Sequence, residues 1–425
     1  MTIPMIITLA IVVLMIGMIM SDKFSFGAPP LVACCLLVLT GVSTIQDAFA
    51  GFVDSNVVMI AGFMAVMAAL QKTSVMGKVQ GVMAKVASKG GFKAYVLLLL
   101  VVMLAASLTG ATTGYYVMVL TIVASIPYNK NLPNSKLLMP LGFASGKALL
   151  PINVAFFMGL ASSLLDSSGF AGTISMPKFA IMSFIGSIGF LVWALIGYRL
   201  LPDHDISNGA NSVPEKKAEE TPALPKWKEY CTYVAFLASV AGMMFASSLG
   251  EIAYIFPAVA TSFLCLIGVF SFKEVRNNVF SPLILMMASV IGVANALASS
   301  GFTAMVGTAV AKSMGGNVNP FFLILIFCLL TSACATLTGA SIGSLFIFAP
   351  IGIATCISLG IDPTGMAAAV TASAWCGGFL PIDGLPAMIL GMGKYKLSQF
   401  LKFTIPQYLV GILCLVIGAM IAFAV

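Results

Sequence analysis

Charge is what this sequence lacks. Of its 425 residues only 8 % are charged and 60 % are hydrophobic, whereas an ordinary soluble domain is about a quarter charged. That balance excludes a soluble globular fold, a disordered chain and a nucleic-acid binder. Histidine is almost missing, with His204 alone. There is no HExxH, no Ser/His pairing and no cluster of His, Cys and Glu, so metal-dependent and triad chemistry have no starting point. The nine cysteines are scattered through apolar runs and none has CxxC spacing. Neither a metal site nor a disulfide framework is expected, and each cysteine reads as a small buried hydrophobe. The first apolar run lacks a basic start and a small-residue cleavage site, so it reads as a mature membrane helix.

What the chain has is apolar length. A bilayer core needs about 20 apolar residues per helix. Runs of that order occur at 4–20, 28–45, 55–70, 137–165, 178–200, 230–249, 252–270, 281–298, 364–390 and 403–425. Two further stretches, 94–127 and 319–357, are interrupted by Gly/Thr clusters and read as re-entrant hairpins. Ten spans and two hairpins place the loops 21–27, 71–93, 128–136, 199–229, 271–280 and 391–402 on one side, with 18 of the 21 Lys and Arg. Positive charge marks the cytoplasmic side, which puts both termini outside. It also accounts for the net charge of +7 without a nucleic-acid partner. Residues 202–229 are polar and read as a cytoplasmic linker.

Motifs repeat across that linker. Leu108-Thr109-Gly110-Ala111-Thr112-Thr113-Gly114 returns as Leu337-Thr338-Gly339-Ala340-Ser341-Ile342-Gly343, and Leu150-Pro151-Ile152-Asn153 returns as Leu380-Pro381-Ile382-Asp383. The order is the same and the spacing nearly so. The chain thus divides into a first repeat (1–201), the linker (202–229) and a second repeat (230–425). Each half holds five spans, an odd number, so the second is inserted upside down, as in secondary transporters that bind substrate and ions at broken helices near the midplane. The expected fold class is an all-α integral membrane protein with a 5+5 inverted repeat, two re-entrant hairpins and two Pro-broken helices. The plainer account of the repeated Gly and Pro is close helix packing.

The chemistry is expected at the tips and breaks. Gly frees the tip backbone to face a ligand, and Thr109, Thr112, Thr113, Thr338 and Ser341 add hydroxyls suited to a carboxylate or a sodium ion. Each hydroxyl has a bland alternative, a bond to its own helix carbonyl. In the LPI[ND] motifs Pro removes a helical hydrogen bond and leaves a new half-helix N-terminus, which favours anions, while freed carbonyls favour cations. Pro386 is expected to extend the second break. Lys147 and Asp383 are the two intramembrane charges. Lys147 lies about 11 residues, roughly 16 Å, from the cytoplasmic end of its span, too deep to snorkel easily. Such a charge is a functional candidate: an anion ligand or a substitute cation for Lys147, a cation ligand or proton carrier for Asp383. Structural pairing of the two is the alternative. Tyr115 and Tyr116 follow the first tip as cavity or packing residues. His204, Asp166, Glu251 and Asp362 read as solvated loop charges.

Over nearly its whole length the sequence resembles the divalent anion:sodium symporter family of the ion transporter superfamily. The resemblance rests on the two tips, on the breaks that follow them and on Gly62 to Gly77 (GFMAVMAALQKTSVMG). It implies a homodimer in a prokaryotic plasma membrane, with a scaffold and a moving transport domain, carrying a small organic anion with sodium as the candidate coupling ion and no other cofactor. Carried over by position, the tips are Thr109-Gly110-Ala111 and Thr338-Gly339-Ala340, the first break is Pro151-Ile152-Asn153 and the second is Leu385-Pro386-Ala387, preceded by Asp383-Gly384. With the hydroxyls and charges read above, substrate contacts are expected on Thr109, Gly110, Thr112, Thr113, Lys147, Asn153, Thr338, Gly339, Ser341 and Pro386, and ion coupling on Thr109, Gly110, Asn153, Thr338, Gly339 and Asp383. The family's tip Asn is Gly here and its tip Thr is Ala, so half the side-chain ligands are absent. A sodium-independent exchanger using Lys147 stays open. So does a cation/proton antiporter using Asp383, although such a carrier gains nothing obvious from Lys147. A membrane enzyme or channel has no motif in its favour.

Overall fold

The computed structural model describes residues 2–20, 24, 27–87, 89, 91–109, 113–126, 133–150, 154–170, 172–206, 224–245, 249–250, 252–314, 318–339, 341–382 and 384–424. Among them the chain is helical, with no strand. The first half runs α1 (Ile3–Met20), α2 (Ala28–Leu39), α3 (Ile45–Ala48), α4 (Ser55–Gln71), α5 (Val75–Ala87), α6 (Gly91–Thr109), α7 (Thr113–Ala124), α8 (Asn134–Ala144), α9 (Ala155–Ser167) and α10 (Met176–Gly197). The second runs α11 (Lys226–Met244), α12 (Ile252–Leu266), α13 (Phe272–Val279), α14 (Pro282–Ser299), α15 (Phe302–Met314), α16 (Pro320–Thr338), α17 (Ser341–Leu359), α18 (Thr364–Ser373), α19 (Gly384–Met392) and α20 (Leu397–Phe423). Six helical stretches among the described residues are long and apolar enough to cross a membrane, and further apolar helices of 10–17 residues lie between them.

Local chemistry sets the starts. Asp54 caps α4 by accepting from the Asn56 and Val57 amides, Ser281 caps α14 ahead of Pro282, and Asn319 caps α16 ahead of Pro320. An acceptor at the cap satisfies amides with no helical partner, and Pro in the first turn gives up a donor the helix does not use. The second motif behaves as its prolines require. α8 stops at Ala144 and α9 starts at Ala155; α18 stops at Ser373 and α19 starts at Gly384. Pro386 differs from expectation. It falls inside the first turn of α19, where a missing N–H costs nothing, so it helps to start that helix rather than to lengthen the break.

Two segments expected as loops are helical: 75–87 forms α5 and 272–279 forms α13. Helix α5 buries Met83 and Val86 against the hairpin and exposes Lys78 and Lys85. It packs on α6, and α15 packs correspondingly on α17. A charged face beside an apolar stripe hides such helices from a search for uniform apolar runs. His204 also departs from a solvated reading. Residues 202–206 fold onto the base of α8: the His204 ring meets the Gly393 carbonyl at 2.8 Å, Ser135 donates to the Pro202 carbonyl at 2.9 Å, and Asn134 donates to Asp205 at 3.0 Å. Of the cysteines, Cys34, Cys328 and Cys356 are buried and Cys35 is exposed.

The halves interlock crosswise. Helix α2 lies along α14, α4 along α12, and α10 along α20. At the end of α4, Lys72 pairs with Glu274 of α13, and Glu229 of α11 accepts from the Ser74 amide at 2.9 Å. Small residues allow the close approaches, because apolar burial gives little drive between helices already in lipid. A Cβ on Gly62 would stand 2.5 Å from the Ala258 amide nitrogen of α12, and one on Gly292 of α14 would overlap the Ala48 carbonyl. Gly62→Ala and Gly292→Ala are each expected to destabilise the detergent-solubilised protein by about 1–3 kcal/mol. Gly186→Ala, which faces open space in α10, should be neutral or slightly stabilising. Thermal unfolding of the three variants checks the ordering.

Candidate functional site: two broken helices and a lysine

At membrane depth a non-helical backbone must find its partners in protein or in a water-filled cavity. Both breaks find them in the same way. In the first, the Leu150 amide donates to the Ser107 hydroxyl at 2.9 Å, and Ser107 donates to the Met103 carbonyl at 3.1 Å. In the second, the Gly378 amide donates to the Thr336 hydroxyl at 3.3 Å, and Thr336 donates to the Ser332 carbonyl at 2.8 Å. Carbonyls are served by the closing helices. Ser187 of α10 donates to the Ala148 carbonyl at 2.7 Å, and Thr404 of α20 donates to the Phe379 carbonyl at 2.9 Å. Each break is therefore held by a hydroxyl from its hairpin and a hydroxyl from its closing helix. Motif reading passed over these four residues. Yet Ser107 and Thr336 stand immediately before the repeated Leu-Thr-Gly-Ala and extend it by a hydroxyl in both halves.

Lys147 sits in the first break, half-buried, and its ammonium reaches across to the Cys376 sulfur of the second break at 3.8 Å. Among the described residues no carboxylate stands within ion-pair distance of it. The register that sets Pro151 on Pro381 sets Lys147 on Gly377. No side chain fits there, because a Cβ on Gly377 would overlap the Thr336 hydroxyl. The two breaks therefore share a single described cation. Around it, Trp375 meets Phe156 and Phe157 of α9 edge-on at 5.6 and 5.0 Å. Phe379 lies 4.7 Å from Tyr408, whose hydroxyl bonds that of Ser332 at 2.8 Å.

At the second tip α16 ends on Gly339 with φ +67° and α17 opens on Ser341. That left-handed conformation suits Gly and, next to it, Asn. Gly339 thus makes the turn without strain. The Thr338 hydroxyl donates to the Cys334 carbonyl at 2.7 Å. This is the bond to its own helix carbonyl that the sequence allows for each tip hydroxyl. Thr338 also lines a small cavity with Ile16 and Ile19 of α1. Pro386 is buried, and a Cβ on Gly378 would meet its ring at 3.1 Å, so it packs the second break. Tyr115 is a packing residue, fully buried and donating to the Val102 carbonyl at 2.6 Å. Gly110, Thr112, Asn153 and Asp383 lie outside the described residues, as do the side chains of Thr109 and Thr113, which close α6 and open α7.

Residues 11–260 match the family model for citrate transporters. The chain belongs to the citrate transporter family. That is a family of membrane transporters. A curated relative, the uncharacterized transporter YfbS of Escherichia coli (strain K12), is 31% identical over 137 residues, which cover 32% of this chain and 22% of that protein. The chain thus spans about a fifth of that relative's length. The YdaH transporter of Alcanivorax borkumensis, whose crystal structure revealed an unusual topology, shares the fold with TM-score 0.63 at 17% identity, over 90% of this chain and 88% of that one. MtrF of Neisseria gonorrhoeae, described with a class of antimetabolite efflux pumps, follows at TM-score 0.59 and 13% identity, over 91% and 84%. At such identities the likeness speaks of fold alone.

Removing a hydroxyl that serves a buried break amide leaves that amide unpaired, which costs about 1–3 kcal/mol. Ser107→Ala and Thr336→Val are each expected to lose stability in that range, while Thr336→Ser stays near wild type. Equal melting temperatures for Thr336→Val and Thr336→Ser would show that the hydroxyl contributes nothing.

Proposed function

We propose that this member of the citrate transporter family carries small organic anions, carboxylates first among them, and that Lys147 receives the anion. The observation that carries this reading is an ammonium in a half-buried helix break, facing a thiol and no described carboxylate. An unneutralised charge at that depth is costly, and a carboxylate ligand would relieve the cost while making a charge-assisted bond. Membership of a citrate transporter family supports a carboxylate over other anions.

Movement is proposed to be of the elevator type, in a homodimer, as the resemblance to the symporter family implies. The crosswise packing of α2 on α14 and α4 on α12 would make the scaffold. The hairpins with the two breaks would make the travelling part. Sodium is proposed as the coupling ion. The two hairpin tips would supply its oxygens, as the resemblance to the symporter family implies.

The test is thermal stability of the purified protein against mono-, di- and tricarboxylates, with sodium or choline as the cation. A ligand of the native state raises stability by mass action, about 2.7 kcal/mol at a hundred times its Kd. One carboxylate is expected to stabilise wild type, more strongly in sodium, and Lys147→Ala should abolish the gain without losing the fold. Stabilisation in choline alone would replace symport by exchange. A response to sodium or pH with no anion active would sink the reading in favour of cation/proton antiport.

A further inference from the structure

At the Lys147–Cys376 contact the two breaks meet through chemically active side chains. We propose that Cys376 is a substrate-contacting, specificity-determining residue: its thiol holds the place beside Lys147 that a substrate carboxylate oxygen takes, and it then donates a second hydrogen bond to that carboxylate. This rests on the assignment of Lys147 as the anion's receiver.

Three observations support it. The ammonium–sulfur distance of 3.8 Å is long against the ~2.8 Å of an ammonium–carboxylate bond, and a thiol is a weak acceptor, so a carboxylate displaces it readily. The thiol donates only a weak hydrogen bond, to the Ala372 carbonyl at 3.5 Å; a turn about one side-chain torsion redirects it. The backbone of Cys376 is also clamped on both sides. Trp375 packs edge-on against the Phe156 and Phe157 rings, and Gly377 lies directly against Thr336. The sulfur is thus presented from a fixed position on the second break towards a cation on the first, which is how a binding group is preorganised. Glycine at 377 leaves the side chain at 376 as the neighbour that Lys147 meets.

The proposal distinguishes substitutions that a packing role would not. Cys376→Asp places a carboxylate within reach of Lys147 and is expected to occupy the seat from within, weakening citrate and succinate binding at least tenfold. Cys376→Ala removes only the donor and is expected to weaken binding about 2- to 10-fold. Cys376→Ser retains it and should bind as wild type or more tightly. Affinities come from thermal stabilisation and titration calorimetry on the purified full chain, with gel filtration as the check of folding. A readout that needs no variant is alkylation of Cys376 by N-ethylmaleimide, followed on its peptide by mass spectrometry. Citrate or succinate is expected to slow it in wild type but not in Lys147→Ala. If the acid variant fails to fold, this protection assay decides the matter.

Binding that survives Cys376→Asp, or alkylation unaffected by saturating carboxylate, overturns the role of Cys376. Should Lys147→Ala still abolish binding in that case, the anion-carrier reading stands without it. If wild type responds to neither carboxylate by either readout, the proposal falls together with the reading beneath it.

Discussion

A polypeptide that abandons its helix inside a membrane must find partners for its amides and carbonyls in protein or in a water-filled cavity, and this fold supplies protein partners in both breaks. Ser107 and Thr336 take up an amide from their respective breaks, and Ser187 and Thr404 serve a carbonyl. Hairpin, break and closing helix are thereby joined in each half. The geometry of Lys147 and of everything facing it follows, because the position of an irregular segment is set by what bonds its backbone. Glycines at the crossings let the helices come close enough for short hydroxyls to reach.

The hydroxyl clasps recur in both halves, but the residues between them do not. Where the first half carries Lys147, the second carries Gly377, and the Thr336 hydroxyl fills the space a side chain would need. A second lysine there would set two ammonium groups against each other at low dielectric, with like-charge repulsion added to desolvation. One cation between two breaks suits one carboxylate. Aromatic side chains of α9 and α20 pack against Trp375 and Phe379 of the second break.

The two breaks were legible because Pro cannot continue a helix and constrains the residue before it. Gly339 was legible as a turn because few residues adopt positive φ. Helices α5 and α13 were not, since a half-charged helix resembles a loop when only apolar length is counted. Nor were the hydroxyl clasps. Ser107, Ser187, Thr336 and Thr404 look like ordinary membrane-helix residues, which commonly bond their own preceding turn, and nothing local says which will also reach a neighbour. Pro386 was read with the break and belongs to the helix after it, a matter of one turn.

Composition alone determined that the chain lives in a bilayer, and hydropathy with two repeated motifs determined its helical class and the places where helices stop. These are local properties: apolar length, missing donors and backbone freedom act within a few residues of themselves. Only the tertiary structure decided that Lys147 faces Cys376, that Gly377 has no room for a partner charge, and which hydroxyl serves which break. Those outcomes depend on contacts between residues remote in the chain, made when the two halves pack across each other. No periodicity or spacing along one half encodes the distance to a side chain in the other.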